Sequence, residues 1–161
     1  MSDWSKNAAQ SLQRKNEEER IKNQRALQMG TLLSQQSTQR WEELRNEFVR
    51  MAAELNSEPG MSGTLSHAGS KPDALRVENT ITRKSVSITF EKETHSIATN
   101  DRFGRTYQLA VVPGTHDTCF VVVTTRGIER VGGLVTHSEI ARNILDELLE
   151  IAWPECSAAQ R

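Results

Sequence analysis

A chain of 161 residues with 36% hydrophobic residues is long enough for one or two domains, and its formal net charge of −1 gives no overall attraction to nucleic acid or to an anionic membrane. No stretch approaches the roughly 18 consecutive apolar residues that span a bilayer, and the first residues lead into no apolar run typical of a secretory signal. We therefore expect no membrane insertion and a cytoplasmic location, with Cys119 and Cys156 present as reduced thiols.

Residues 1–56 predict a helical segment whose two parts differ in character. From Arg40 onward, apolar residues recur at spacings of three and four, which places them on one stripe of a helix. Before Arg40 the sequence is polar and rich in glutamine, and such a helix has little tertiary packing to stabilise it. The stripe, which we predict to be an interaction helix, consists of Trp41, Leu44, Phe48, Met51 and Leu55.

Two interpretations of this stripe are open at the level of sequence. The helix could pack on a sheet formed by the same chain, or it could form a coiled coil with a second copy or a partner protein. Only two heptads are regular, whereas about three or four are typical of a coiled coil. In both interpretations the stripe is apolar enough to need a covering surface.

Residues 57–72 contain three glycines, two prolines and four serines, a composition that predicts a flexible linker. After Pro72 the apolar period changes from about 3.6 to two, which is typical of strands. Short breaks with turn residues separate the segments, so we expect an antiparallel meander. The five predicted strands lie within residues 75–81, 86–90, 95–99, 107–111 and 119–123, and residues 128–131 are the candidate for a sixth.

A second amphipathic helix follows Gly132 and Gly133. Thr136 and Glu139 have the spacing of a capping box, and Pro154 ends the helix. Its apolar rows should cover one face of the sheet. The fold class is therefore α+β: a long N-terminal helix, then a domain of residues 73–155 with a meander of five or six antiparallel strands and one C-terminal helix, then a tail of residues 156–161.

The fourth and fifth predicted strands are apolar at nearly every position, unlike strands with one face in water. Residues 109–112 and 120–123 are the two continuous runs. They predict that the second face of the sheet is covered as well, either by the N-terminal helix or by a second copy of the domain.

No catalytic, cofactor or metal motif occurs in the sequence. The four histidines lie at positions that predict polar surface or local capping, and Cys119 precedes an apolar run in which a thiol is commonly a small core residue. We therefore assign no catalytic residue, no cofactor and no metal ligand, and the sequence favours a non-enzymatic protein.

One cluster of charges suggests a binding surface. In a meander, alternate turns lie at the same end of the sheet, so the first turn, the third turn and the exit of the fifth strand meet there. Basic side chains around an aromatic ring suit phosphate, carboxylate or a stacked base; the alternative is an ordinary solvated rim. This basic end consists of Arg83, Lys84, Arg102, Phe103, Arg105, Arg126 and Arg130.

These patterns lead to three hypotheses for function. The first is a non-enzymatic interaction or adaptor module whose N-terminal helix mediates self-association or binding of a protein partner. The second is a regulator that binds nucleic acid or another polyanion at the basic end. The third is a small enzyme or a ligand-binding pocket between the sheet and the C-terminal helix.

Overall fold

The structure, a computed structural model, describes residues 2–69, 71–100, 105–123 and 134–151. It confirms the α+β class, with a seven-stranded antiparallel sheet in place of the five or six strands expected. The elements in chain order are α1 (Asp3–Ser57), β1 (Leu65–Ala68), β2 (Ala74–Asn79), β3 (Ser85–Glu91), β4 (Ser96–Thr99), β5 (Thr106–Val111), β6 (Thr118–Val123), β7 (Leu134–Val135) and α2 (His137–Leu148).

Helix α1 runs without a break for 55 residues. It contains no proline, and Gly30 is its only glycine, so few positions oppose helix formation. At a rise of 1.5 Å per residue it is about 80 Å long. It ends where the N–H of Glu58 bonds to the carbonyl of Leu55, just before Pro59 and the positive φ of Gly60.

The sheet is a meander in which every strand pairs antiparallel with the next in sequence. Strand β1 lies inside the predicted linker and pairs with β2, placing Leu65 opposite Asn79, so the linker prediction is wrong for residues 65–68. The Asn56 side chain, at the end of α1, donates to the Leu65 carbonyl at 2.8 Å and accepts from its N–H at 3.0 Å. The predicted strand at residues 128–131 lies outside the described residues.

Both helices pack on the same face of the sheet. In α2, the capping box forms as expected, with the Thr136 side chain accepting from the Glu139 N–H at 3.2 Å. In α1, Trp41 stacks on Phe90 with ring centroids 5.7 Å apart, and its indole N–H donates to the Pro72 carbonyl at 2.7 Å. The fully buried side chains of the two helices include Trp41, Leu44, Phe48, Ile140 and Ile144.

The packing corrects two expectations about the N-terminal helix. Its stripe belongs to the core of its own chain, because Leu44 is 0% exposed and both Met51 and Leu55 pack against the core. Of the two interpretations that the sequence left open, packing on the chain's own sheet is therefore the one that the structure shows, and the stripe is not a free interaction helix. Nor does α1 cover the second face of the sheet, since it shares the first face with α2. On that second face, Ala110 and Val121 are half-buried.

Candidate interaction surfaces

Helix α1 divides into two parts with different environments. We call residues 36–55 the anchor and residues 3–33 the arm. Every side chain from residue 9 to residue 31 is exposed, whereas the anchor contributes five buried residues. The arm is thus about 46 Å long, at 1.5 Å per residue.

The arm carries large apolar side chains in water. Single exposed apolar residues are ordinary on protein surfaces. From residue 9 to residue 31 of the arm, however, every side chain is exposed, so tertiary packing does little to stabilise the helix there. The exposed fractions are 77% for Trp4, 60% for Leu12, 73% for Leu27 and 50% for Met29. These residues are candidates for contact with another molecule.

A polar cluster fixes the point where the arm leaves the domain, which we call the elbow. Gln36 donates to the His116 carbonyl at 3.2 Å and accepts from the Thr118 hydroxyl at 2.6 Å. Arg40 donates to Thr118 at 3.1 Å and forms an ion pair with Asp117. These bonds connect α1 to the β5–β6 hairpin, so the direction of the arm is set by the sheet.

Beyond the elbow, the arm and the β5–β6 hairpin enclose a cleft of about 1000 Å³. Its walls combine apolar side chains with glutamine amides, and Arg25 and His116 are also among the lining residues. The sequence did not predict it, because its two walls are far apart in the chain. The residues on the arm side include Gln24, Leu27, Gln28 and Leu32, and those on the hairpin include Val111, Val112 and Pro113.

The basic end is only partly within the described residues. The meander places Arg83, Lys84 and Arg105 at one end of the sheet, whereas Arg102, Phe103, Arg126 and Arg130 lie outside the residues that the structure describes. Arg83 pairs with Glu78 at 3.5 Å, and Lys84 pairs with Glu150.

A second cleft of about 820 Å³ opens between this end of the sheet and α2. Basic and acidic side chains line it together: Lys84, Arg105, Asp146, Glu147 and Glu150. The sequence pattern missed the acidic contribution, because it considered only the turns and not the helix that packs beside them. In the described part, this end of the sheet is therefore mixed in charge.

A third polar cluster joins the start of α2 to the anchor. Ser138 donates to Glu47 at 2.8 Å, and His137 lies 3.6 Å from Glu43. Burial lowers the pKa of His137, while the Glu43 carboxylate acts in the opposite direction. The hydrogen bond from Arg50 holds the pKa of Glu47 below its ordinary value.

This cluster does not form a nucleophile–base pair, because the Ser138 hydroxyl bonds to Glu47 and not to His137. Among the described residues, no group of three or more histidine, cysteine, aspartate or glutamate side chains could hold a metal ion. In the same part of the chain, no helix is long and apolar enough to cross a membrane.

Comparisons with models of known protein families, with curated proteins and with solved structures find no match to this chain.

Proposed function

We propose that this protein is a non-enzymatic interaction module that presents its helical arm to a helical protein partner. The observation that carries the proposal is the contrast within α1: a buried anchor adjoins an arm on which Trp4, Leu12, Leu27 and Met29 are each at least 50% exposed. We thus assign binding to the arm, which precedes the stripe, and not to the stripe itself, where the sequence suggested it.

The anchor supports this use of the arm energetically. Forming the first turn of an isolated helix is unfavourable, and short helices without packing are marginal in water. Here the packed anchor supplies the nucleus, so the arm extends a helix that already exists. A partner then meets a preformed surface, which reduces the ordering cost of binding.

The exposed apolar residues could supply the binding free energy. Full burial of one large apolar side chain contributes about 1.5–3 kcal/mol. Trp4 and Leu12 lie eight residues apart and therefore about 80° apart around the helix axis, within one broad face of the arm. A helix laid along the arm would cover both, in the manner of helix-in-groove recognition.

The other two hypotheses have less support. The polyanion hypothesis depends on basic residues of which Arg83 and Lys84 already pair with Glu78 and Glu150. The pocket hypothesis depends on the cleft between sheet and α2, whose mixed charges match no catalytic arrangement. Neither hypothesis is supported by an exposed apolar surface comparable to that of the arm.

The experiment compares association of the full chain with that of a chain lacking residues 2–31. Association is measured by sedimentation velocity for the protein alone and by cross-linking in a cell extract for other partners. We expect the truncated chain to keep its cooperative thermal transition and to lose both kinds of association. Unchanged association after truncation would overturn the proposal.

Point variants refine this test. Trp4→Ala combined with Leu12→Ala should weaken association strongly, because it removes apolar contact area. The matched control is Lys6→Ala combined with Gln13→Ala, which changes two polar residues of the arm and should have little effect. Equal effects of the two pairs would mean that the apolar side chains do not carry binding.

A further inference from the structure

Nine positions at successive spacings of three and four define one face of the arm, which we call the seam. Residues at such spacings line one side of a helix and form the contact line of a coiled coil. The seam consists of Trp4, Ala8, Leu12, Lys15, Glu19, Lys22, Ala26, Met29 and Leu33.

The seam is apolar at both ends and charged in the middle. Its central residues are Lys15, Glu19 and Lys22, all exposed. Within the described chain, neither Glu19 nor Lys22 forms an ion pair, although Glu17 and Arg20 beside them do, at 2.6 Å. The two seam charges are thus available to another molecule.

A second copy of the arm could meet this seam in two orientations. In a parallel pair in register, each residue faces itself, so Lys15, Glu19 and Lys22 would each face a like charge. Like charges at facing positions are destabilising. An antiparallel pair with two-fold symmetry can instead place opposite charges together.

We propose that the arm's partner is the arm of a second copy, aligned antiparallel so that Glu19 of each chain faces Lys22 of the other. This inference rests on the proposed function and names the partner. In this register, Leu12 faces Met29 and Ala8 faces Leu33, each twice by symmetry. Lys15 faces the small Ala26, beyond which its ammonium group can reach water. The two apolar ends of the seam are covered at once.

Other antiparallel registers are less favourable. A shift of one heptad in one direction lets Lys15 face Glu19, but it places Leu12 opposite Lys22. The opposite shift places Glu19 opposite Met29. A register between the proposed one and the first of these shifts makes Lys15 and Lys22 face each other. Only the proposed register combines opposite charges at the centre with apolar pairs at both ends.

The surface of the arm is open along the middle of the seam, where every side chain from residue 9 to residue 31 is exposed. A shallow depression of about 450 Å³ on the arm is lined by residues that include Lys22, Ala26 and Met29, and Leu12 of the second copy would face it at Met29. Near the elbow, Leu33 is half-buried, and the residue opposite it is the small Ala8.

Charge exchange tests the register. Glu19→Lys alone or Lys22→Glu alone puts like charges at both central contacts, and we expect the dimer dissociation constant to rise about tenfold or more at low salt. The double variant Glu19→Lys/Lys22→Glu restores opposite charges and should dimerise as the original chain does. Glu42→Lys, an equal charge change on the anchor, is the control and should have no effect.

Cysteine cross-linking tests the orientation, in a chain carrying Cys119→Ala and Cys156→Ala. The double variant Leu12→Cys/Met29→Cys should form a disulfide-linked dimer on oxidation, because facing positions fall within the range that a disulfide bridges. Leu12→Cys alone should not cross-link to itself. The control is Gln13→Cys/Met29→Cys, in which the first cysteine lies off the seam.

The outcomes separate this inference from the proposed function. A dimer linked through Leu12→Cys alone would show parallel arms and overturn the inference, while the arm would remain a binding element. A chain that stays monomeric at high micromolar concentration would also overturn it and leave a different protein as the partner. A dimer that survives removal of residues 2–31 would overturn both.

Discussion

The anchor and the arm are parts of one helix with opposite relations to solvent. Leu44 in the anchor is 0% exposed, whereas Leu12 in the arm is 60% exposed. Both leucines are helical, so secondary structure does not distinguish them. The difference lies in what surrounds each: the anchor has a sheet beneath it, and the arm has water. Two parts of one continuous helix can therefore have different roles.

The comparison also shows where stability is concentrated. The anchor contributes to the same apolar cluster as the sheet and α2, and Asn56, the residue that follows it, bonds to β1. The arm contributes helix propensity and surface ion pairs such as Glu17 with Arg20, which are worth little in water. Deletion of the arm should therefore leave the domain folded, whereas deletion of the anchor should unfold it.

The largest expected effect comes from removing the anchor. The sequence predicts that residues 73–161 fold alone. That fragment lacks α1, which shares one core cluster with Leu75 and Tyr107, and it lacks β1, which pairs with β2. We expect it to show no cooperative thermal transition and to bind a hydrophobic dye, while residues 32–161 melt as the full chain does. A cooperative transition in the shorter fragment would mean that α2 alone covers enough of the sheet.

Replacement of single side chains by alanine should show the same contrast between anchor and arm, with a smaller loss of stability. Leu44→Ala or Phe48→Ala should lower the free energy of unfolding by about 2–5 kcal/mol, because each leaves a cavity in the core. Leu12→Ala is the matched change in the arm and should leave the urea midpoint unchanged at concentrations where the protein is monomeric. Similar losses at Leu44 and Leu12 would contradict the division of α1.

A change in the arm should alter local order without altering global stability. Gly30 has no atom within 4 Å of the position where a Cβ would lie, so Gly30→Ala fits without a clash. Alanine should stabilise the helix locally by about 1 kcal/mol. We expect slower amide hydrogen exchange in residues near Gly30 and an unchanged urea midpoint. A higher midpoint would indicate that the arm unfolds together with the domain.

The smallest effect concerns pH and the contact of α2 with the anchor. Because burial lowers the pKa of His137 below its ordinary value of 6.5, the unfolded chain binds a proton more readily than the folded one. Stability should therefore fall as the pH drops below about 6.5 and continue to fall until the lowered pKa is passed. His137→Gln should flatten this part of the profile of melting temperature against pH. His67→Gln, on exposed β1, is the control and should retain the slope.

Much of the fold could be predicted from patterns of a few residues. The stripe from Trp41 to Leu55 predicted the anchor because helical spacing is a local property. Alternation predicted five of the seven strands within a few residues of their bounds. Thr136 and Glu139 predicted the start of α2, since a capping box is complete within four residues. Strand β1 was missed because serine and glycine surround it, and only its pairing with β2 makes it a strand.

The candidate sites depended on tertiary structure to a greater degree. Spacing showed that the stripe needs a cover, but it could not choose between the chain's own sheet and another molecule, because both present the same apolar chemistry. The pairing of Lys84 with Glu150 joins residues 66 positions apart, so no local pattern could show it. Thus the sequence determined which segments are helix and strand and which side chains are apolar. Only the tertiary structure decided that the stripe is core and the arm is surface, because burial depends on which distant segments come together.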